Sequence, residues 1–287
     1  QNICESLSLS VLTNLGEVVM FKTDDKLIQI CLAVSYAILA LYGIINYFNP
    51  DYIISQYSSL VSNDTNRFFL GWYGMMNFGA VAGLIYMGYK GLDRAYFTYA
   101  IPLSILFIIW TYLGQASLPE AEQNWTAMGL FVINALALII ARVRGLGAID
   151  FTKADNMWGT SDKLCQAILW LGLIGQVFFV LQYIFAPGSF IAQTPGLEAS
   201  EVAQRFVMGL MFFSLAWTIA LLYQLRTGYS MSLIVTSVVI STMFMCTMLN
   251  FYASGNVQDG GNTLLTVNII GNFVGSLILF FRLQSQH

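Results

Sequence analysis

The sequence predicts an all-α polytopic membrane protein, with eight transmembrane helices forming two tandem four-helix repeats in parallel orientation. Three observations carry this expectation. Apolar runs nearly free of charge recur along the chain, each about 20 residues long, the length a helix needs to cross a ~30 Å hydrocarbon core. The string Asp25-Lys26-Leu27-x-Gln29 returns as Asp162-Lys163-Leu164-x-Gln166, 137 residues later. Lysine and arginine collect on alternate connections, as the positive-inside rule requires.

Composition agrees. The 287 residues are 57% apolar and 9% charged, and the mean hydropathy is +0.68; soluble domains carry about 25% charged residues. A net charge of −3 without any Lys/Arg cluster speaks against nucleic-acid partners. Cys4, Cys31, Cys165 and Cys246 form no CxxC pair and read as small apolar residues. The chain starts at Gln1, from which a removed presequence or a downstream start is expected, favouring an organellar or secretory route.

Residues 1–26 form an N-terminal segment; 3–21 mixes apolar and polar positions and is expected to lie along the membrane face. The eight spans are expected at 27–49, 66–89, 95–115, 125–142, 163–185, 202–225, 231–252 and 262–282. Each is helical because lipid offers a lone backbone no hydrogen-bond partner. Residues 27–144 make the first repeat, 145–161 a polar linker, and 162–287 the second repeat.

The repetition continues past its opening string. Pro50 and Pro187 stand 137 apart, as do Gln56 and Gln193. Arg67-Phe68 with Gly71 matches Arg205-Phe206 with Gly209 at 138, a slip of one residue in a loop. A tandem duplication is the reading. Asp25 and Asp162 are expected N-caps of the first helix of each unit, and Pro50 and Pro187 are expected to end those helices. The loops 50–65 and 186–201 are expected to form small caps.

With the N-terminus on one side (side A), ten of the twelve basic residues fall there against eight acidic ones. The other side (side B) holds Arg67 and Arg205 against seven acidic residues. Side A therefore faces the cytosol, stroma or matrix, with both termini on it. Four helices per unit is an even number, so both units insert the same way up. Gly79-x-x-x-Gly83 and Gly271-x-x-x-Gly275 are expected at close helix contacts. Tyr96, Tyr99, Trp110 and Tyr112 are expected in aromatic belts at the two interfaces.

The chemistry of the spans is neutral. Every Asp, Glu, Lys and Arg falls in a loop or near a helix end, unlike pumps and voltage sensors, which hold charge at membrane depth. The single histidine, His287, is the last residue, leaving no imidazole for haem, zinc or proton relay within the spans. No HExxH, GxSxG, GxxxxGK[ST] or GxGxxG occurs, so an enzyme is not expected. What the spans do carry is amides: Asn77, Asn134, Gln176 and Asn272 near mid-helix, with Gln29, Asn46, Gln115, Gln166, Gln182, Gln224, Asn250 and Asn268 nearer the ends. Their plain role is hydrogen bonding between helices. Their functional role would be to line a cavity between repeats, or to offer amide oxygens to a hard cation such as the magnesium of a chlorophyll.

Arg67 and Arg205 oppose the helix macrodipole at equivalent helix starts, which implies a partner. An acidic residue of the preceding loop is expected; a lipid phosphate or anionic ligand is the alternative. The sequons Asn63-Asp64-Thr65 and Asn124-Trp125-Thr126 both fall on side B, and chance yields about two in such a chain.

A helix ended by Pro, then a loop, then Arg-Phe-x-x-Gly opening a second helix resembles small four-helix membrane families of the DoxX-like kind. Pro50, Arg67, Gly71 and their copies Pro187, Arg205 and Gly209 carry the resemblance, which implies a four-helix unit and no reaction. The functional expectation is a non-catalytic integral membrane subunit that scaffolds a larger complex, with other membrane subunits and lipids as partners. Chlorophyll, carotenoid or structural lipids are the expected cofactors. An organellar membrane, with thylakoid as the photosynthetic case, is favoured over the plasma membrane. The alternative is a transporter or channel for a neutral small solute, its site between the repeats.

Overall fold

The computed structural model describes residues 23–56, 62–116, 118, 120, 123–145, 160–193, 201–253 and 263–284. The stretch 3–21 expected along the membrane face, Cys4 and most of the linker lie outside them, as do the side chains of Gln193, Asn250 and Asn268. The described residues fold as α-helices: α1 Lys26–Phe48, α2 Pro50–Ser55, α3 Asp64–Lys90, α4 Arg94–Ala116, α5 Thr126–Arg144, α6 Lys163–Phe185, α7 Pro187–Gln193, α8 Glu201–Thr227, α9 Met231–Ala253 and α10 Thr263–Gln284. Six of them (α1, α3, α4, α5, α6 and α8) are long and apolar enough to cross a membrane. Among the described residues, α9 and α10 hold shorter apolar stretches, Met231–Thr247 and Ile269–Gln284.

Local chemistry sets the helix starts. Asp25 Oδ1 accepts from the backbone N–H of Leu27 at 2.9 Å and of Ile28 at 3.3 Å. Asp162 Oδ1 does the same for Leu164 at 2.9 Å and Cys165 at 3.2 Å. Each satisfies N–H groups that the first turn leaves without intrahelical partners. Gln29 Nε2 then donates back to the Thr23 carbonyl at 2.6 Å, and Gln166 Nε2 to that of Thr160. The shared residues of the repeated string are thus a helix-start device.

The same aspartates tie two helices together. Arg144, in the last turn of α5, donates from Nε to Asp25 Oδ2 at 2.8 Å, and Arg282, near the end of α10, to Asp162 Oδ2 at 2.7 Å. In each pair the arginine holds the carboxyl below its ordinary value of 3.8. A depressed folded pKa means stability that is full above 3.8 and is lost as pH falls through the folded value. We expect the double variant Asp25→Asn, Asp162→Asn to flatten the acid limb of a stability–pH curve below pH 4, read by thermal denaturation in detergent. A wild-type acid limb retained in the variant would show that the pairs do not set it.

The prolines do more than end helices. Asn49 and Ala186 close α1 and α6, and Pro50 and Pro187 then open the short helices α2 and α7, where a missing N–H costs nothing. Arg67 ties α2 to α3. Its Nε donates to Asp51 at 3.1 Å, Nη2 to Ser62 Oγ at 2.8 Å and Nη1 to Asp64 at 3.4 Å. The expected acidic partner in the preceding loop is present.

The long helices close into a ring whose order departs from chain order. α1 packs on α3 and α5, and α5 on α4; α6 packs on α8 and touches α10, and α10 packs on α9. Two further contacts join these arcs, α3 on α9 and α4 on α8. Gly79 and Gly83 make the first possible. A Cβ on Gly79 would overlap Ile240, and one on Gly83 would overlap Thr236 and Tyr96. Across the ring, Phe69 stacks on Phe206 at 5.4 Å and Tyr73 donates to the Phe206 carbonyl at 2.6 Å. The middle of the ring is filled with side chains.

Two expectations need correction. Tyr96 and Tyr99 do not belong to an interfacial belt; both are fully buried, with Tyr96 Oη donating to the Ala80 carbonyl at 2.6 Å and Tyr99 set edge-on to Trp217 at 4.9 Å. Tyr96 is thus buried without stranding its hydroxyl, whereas the buried Tyr99 Oη has no hydrogen-bond partner and the ring is held by its aromatic neighbours. Gly271 makes no close contact: a Cβ there would meet no atom within 4 Å, whereas Gly275 packs on Ile168.

Candidate functional site

Helices α6, α8, α9 and α10, with Trp72 and Met76 of α3, line a cavity in two chambers, whose empty space including open solvent is about 750 Å³ and about 480 Å³. Gln176, Trp217, Ser237 and Asn272 line both. Trp72 of α3 and Phe179, Phe213 and Phe244 add aromatic walls to the larger chamber. No charged side chain lines either one. The lining fits the usual pattern of a small-molecule pocket, apolar walls with a few placed polar groups.

The arc α3, α1, α5 and α4 shows how the same place is filled in the first half. Gln176 has Leu39 as the residue 137 earlier, buried in the core; Phe179 has Tyr42 and Phe244 has Phe107 at the same offset, and Ile269 has Phe131 at 138. Tyr42 stacks on Phe131 at 5.1 Å, and Phe131 on Phe107 at 5.4 Å. That column of rings occupies the interior. With Ile269 in place of the central phenylalanine, the column cannot form in the second half.

The helices bounding the cavity also part. α6 and α10 meet where Gly275 faces Ile168, with 3.2 Å between an added Cβ and Ile168 Cγ2. At Gly175 and Gly271 nothing stands within 4 Å of an added Cβ, while Ile38 and Ile133 are the residues 137 and 138 earlier. The apolar window of α6 is 17% buried, against 39% for that of α1. Exposed Leu171, Ile174, Phe178, Ile270 and Val274 flank the gap.

The four mid-helix amides are not brought to one place. Gln176 and Asn272 share the cavity. Asn134, 138 residues before Asn272, is buried in the first half and donates to Ser104 Oγ at 2.8 Å. Asn77 is buried on α3. The cavity is lined mainly by the second half, with Trp72 and Met76 of α3 closing its larger chamber from the first. Gln176 is the amide with an open valence there: its Oε1 is buried and accepts no hydrogen bond. Arg205 lies away from the cavity, and its backbone carbonyl accepts from Trp110 Nε1 at 3.1 Å. Of the sequon asparagines, Asn63 caps α3, its Oδ1 accepting from Asn66 N at 2.8 Å, and Asn124 Oδ1 accepts from Thr126 N at 3.0 Å in the turn before α5. Cys31 and Cys165 are buried free thiols.

A second polar cluster escaped sequence reasoning. Asp93, in the short connection between α3 and α4, is 1% exposed. It caps α4, accepting from Ala95 N at 2.9 Å and Tyr96 N at 3.3 Å. Its other oxygen accepts from Ser230 Oγ, and Ser232 also donates to it. Ser230 is the residue 137 later and caps α9 by accepting from Leu233 N at 3.1 Å. Gly91 and Gly228, also 137 apart, both hold positive φ, 116° and 123°, a backbone that favours glycine. Burial raises the Asp93 carboxyl above its ordinary value, against the pull of its four donors. The legible signal was the offset itself, which extends to Gly91/Gly228 and Asp93/Ser230.

No family model matches the chain, and neither a curated protein nor a solved structure matches it.

Proposed function

We propose that the protein is a non-catalytic, multi-pass integral membrane subunit that holds an uncharged lipophilic molecule in the α6/α8/α9/α10 cavity. In this reading all eight long helices cross the membrane as two duplicated four-helix units standing the same way up. Both termini lie on the positive side, and other membrane subunits pack on the apolar outer faces. The carrying observation is the contrast between halves, in which one interior is filled by Tyr42, Phe131 and Phe107 and the other holds a cavity, with open space beside Gly175 and Gly271. Exposed apolar side chains beside that space favour entry from the lipid phase. Uncharged walls exclude ions, whose burial without a counter-charge is costly. A solute path between the units finds less support, because Phe69, Tyr73 and Phe206 pack across the ring there.

Gly271→Phe tests the reading, since a Cβ at Gly271 meets no neighbour and the ring would block the gap without overpacking. The expected result is loss of the co-purifying lipophile, measured by extraction and mass spectrometry from gently solubilised protein. Ile133→Phe, at the corresponding place in the sealed half, should leave the bound material unchanged. Equal lipophile content in Gly271→Phe and wild type would sink the proposal.

A further inference from the structure

We infer that the bound molecule is an uncharged amphiphile whose head donates a hydrogen bond, an alcohol or amide, to Gln176 Oε1. This rests on the cavity reading above and adds the chemistry of the head. The hydrogen-bond needs of the lining point one way. Ser241 Oγ already donates to the Ser237 carbonyl at 2.7 Å, and Ser237 and Ser276 share a hydrogen bond at 2.6 Å. Gln176 Oε1 is buried and accepts nothing, and a buried acceptor without a donor is the costly arrangement. A molecule that brings an O–H or N–H repairs it. A hydrocarbon brings none, and an ether or a quinone can only accept from Gln176 Nε2, which leaves the buried Oε1 unmet.

Charge narrows the class further. A phosphate or quaternary ammonium head would stand among uncharged residues with no counter-ion, so phospholipid heads do not fit. The tail has apolar surroundings. The walls of the chamber that Gln176 lines include the rings of Phe179, Phe213 and Trp217, an added Cβ at Gly175 or Gly271 would meet nothing within 4 Å, and Ile174 and Phe178 on α6 are exposed. The head thus sits at mid-helix against Gln176, and the chain runs out between two helices. The first half has Leu39 packed in the core 137 residues before Gln176, and although Asn134 Oδ1 is also buried there without a donor, the column of Tyr42, Phe131 and Phe107 fills its interior.

The experiment uses the whole protein in lipid nanodiscs, titrated with farnesol and with farnesyl methyl ether, with occupancy read by native mass spectrometry. Wild type should bind the alcohol about tenfold tighter than the ether, the worth of one hydrogen bond. In Gln176→Leu the two ligands should bind alike. That variant is expected to fold because leucine fills the corresponding place in the first half. Equal binding of alcohol and ether to wild type would overturn the head-group inference and leave the lipophile site standing. An alcohol preference that survives Gln176→Leu would overturn it too, by placing the donor elsewhere. Failure of both ligands to bind would remove the cavity reading together with the inference.

Discussion

Gly83→Leu should strongly destabilise the helix ring. Even a single Cβ there would overlap Thr236 Oγ1 and Tyr96 Cε2 and stand 3.0 Å from the Ser232 carbonyl. Thr236 cannot swing away without giving up its bond to the Ser232 carbonyl at 2.9 Å, nor Tyr96 without losing the Ala80 carbonyl. The remaining relief is to push α3 from α9. Overpacking of this kind costs about 1–3 kcal/mol and sometimes more; with three neighbours fixed, the upper end is expected. An SDS-unfolding titration would read it. Gly71→Leu is the control, because a Cβ at Gly71 meets nothing within 4 Å. Equal stability of Gly83→Leu and Gly71→Leu would show that the α3/α9 contact is not close-packed.

Asp93→Leu is the second large loss. It removes the cap of α4, worth about 1 kcal/mol, and strands the Ser230 and Ser232 hydroxyls among buried neighbours at ~1–3 kcal/mol for each that finds no other acceptor. A net loss of about 2–4 kcal/mol is expected in the same titration. Asp93→Asn should behave differently. Its Oδ1 can still accept from Ala95 and Tyr96, its Nδ2 can donate to a serine oxygen, and no charge is buried. The pH dependence separates the two. Burial raises the folded pKa of Asp93 above 3.8, so its contribution is full below 3.8 and is lost as pH rises through the folded value. Asp93→Asn should remove that loss and lie above wild type at neutral pH. If Asp93→Asn were as unstable as Asp93→Leu, the carboxylate itself, rather than its hydrogen-bond geometry, would hold the connection.

These two losses fall at places that the sequence marked unequally. Gly79-x-x-x-Gly83 announces a close helix contact before any fold is known, since small residues one turn apart let backbones approach. Its partner, α9, lies more than 130 residues away, and no local property of α3 names it. Asp93 was legible as a charge in a loop and nothing more. Its burial follows from the fold bringing the start of α9 over the start of α4, so that an aspartate cap and a serine cap meet.

The sequence by itself determined the helices. Length and hydropathy placed the long segments to within about two residues of their observed ends, and Asp25 and Asp162 fixed two of the starts, because membrane-length apolar runs and N-caps are local properties. It also placed Arg67 against the loop before it, a partner within reach along the chain. Tertiary structure alone decided what the amides do. Asn134 and Asn272 occupy corresponding positions 138 apart, yet one is bonded inside a filled half and the other lines a cavity. That difference was made by Phe131 against Ile269 and by glycines at 175 and 271, residues that read alike as apolar lining until their neighbours are known. Packing depends on which side chains face one another across helices, and the order of residues along a chain does not state it.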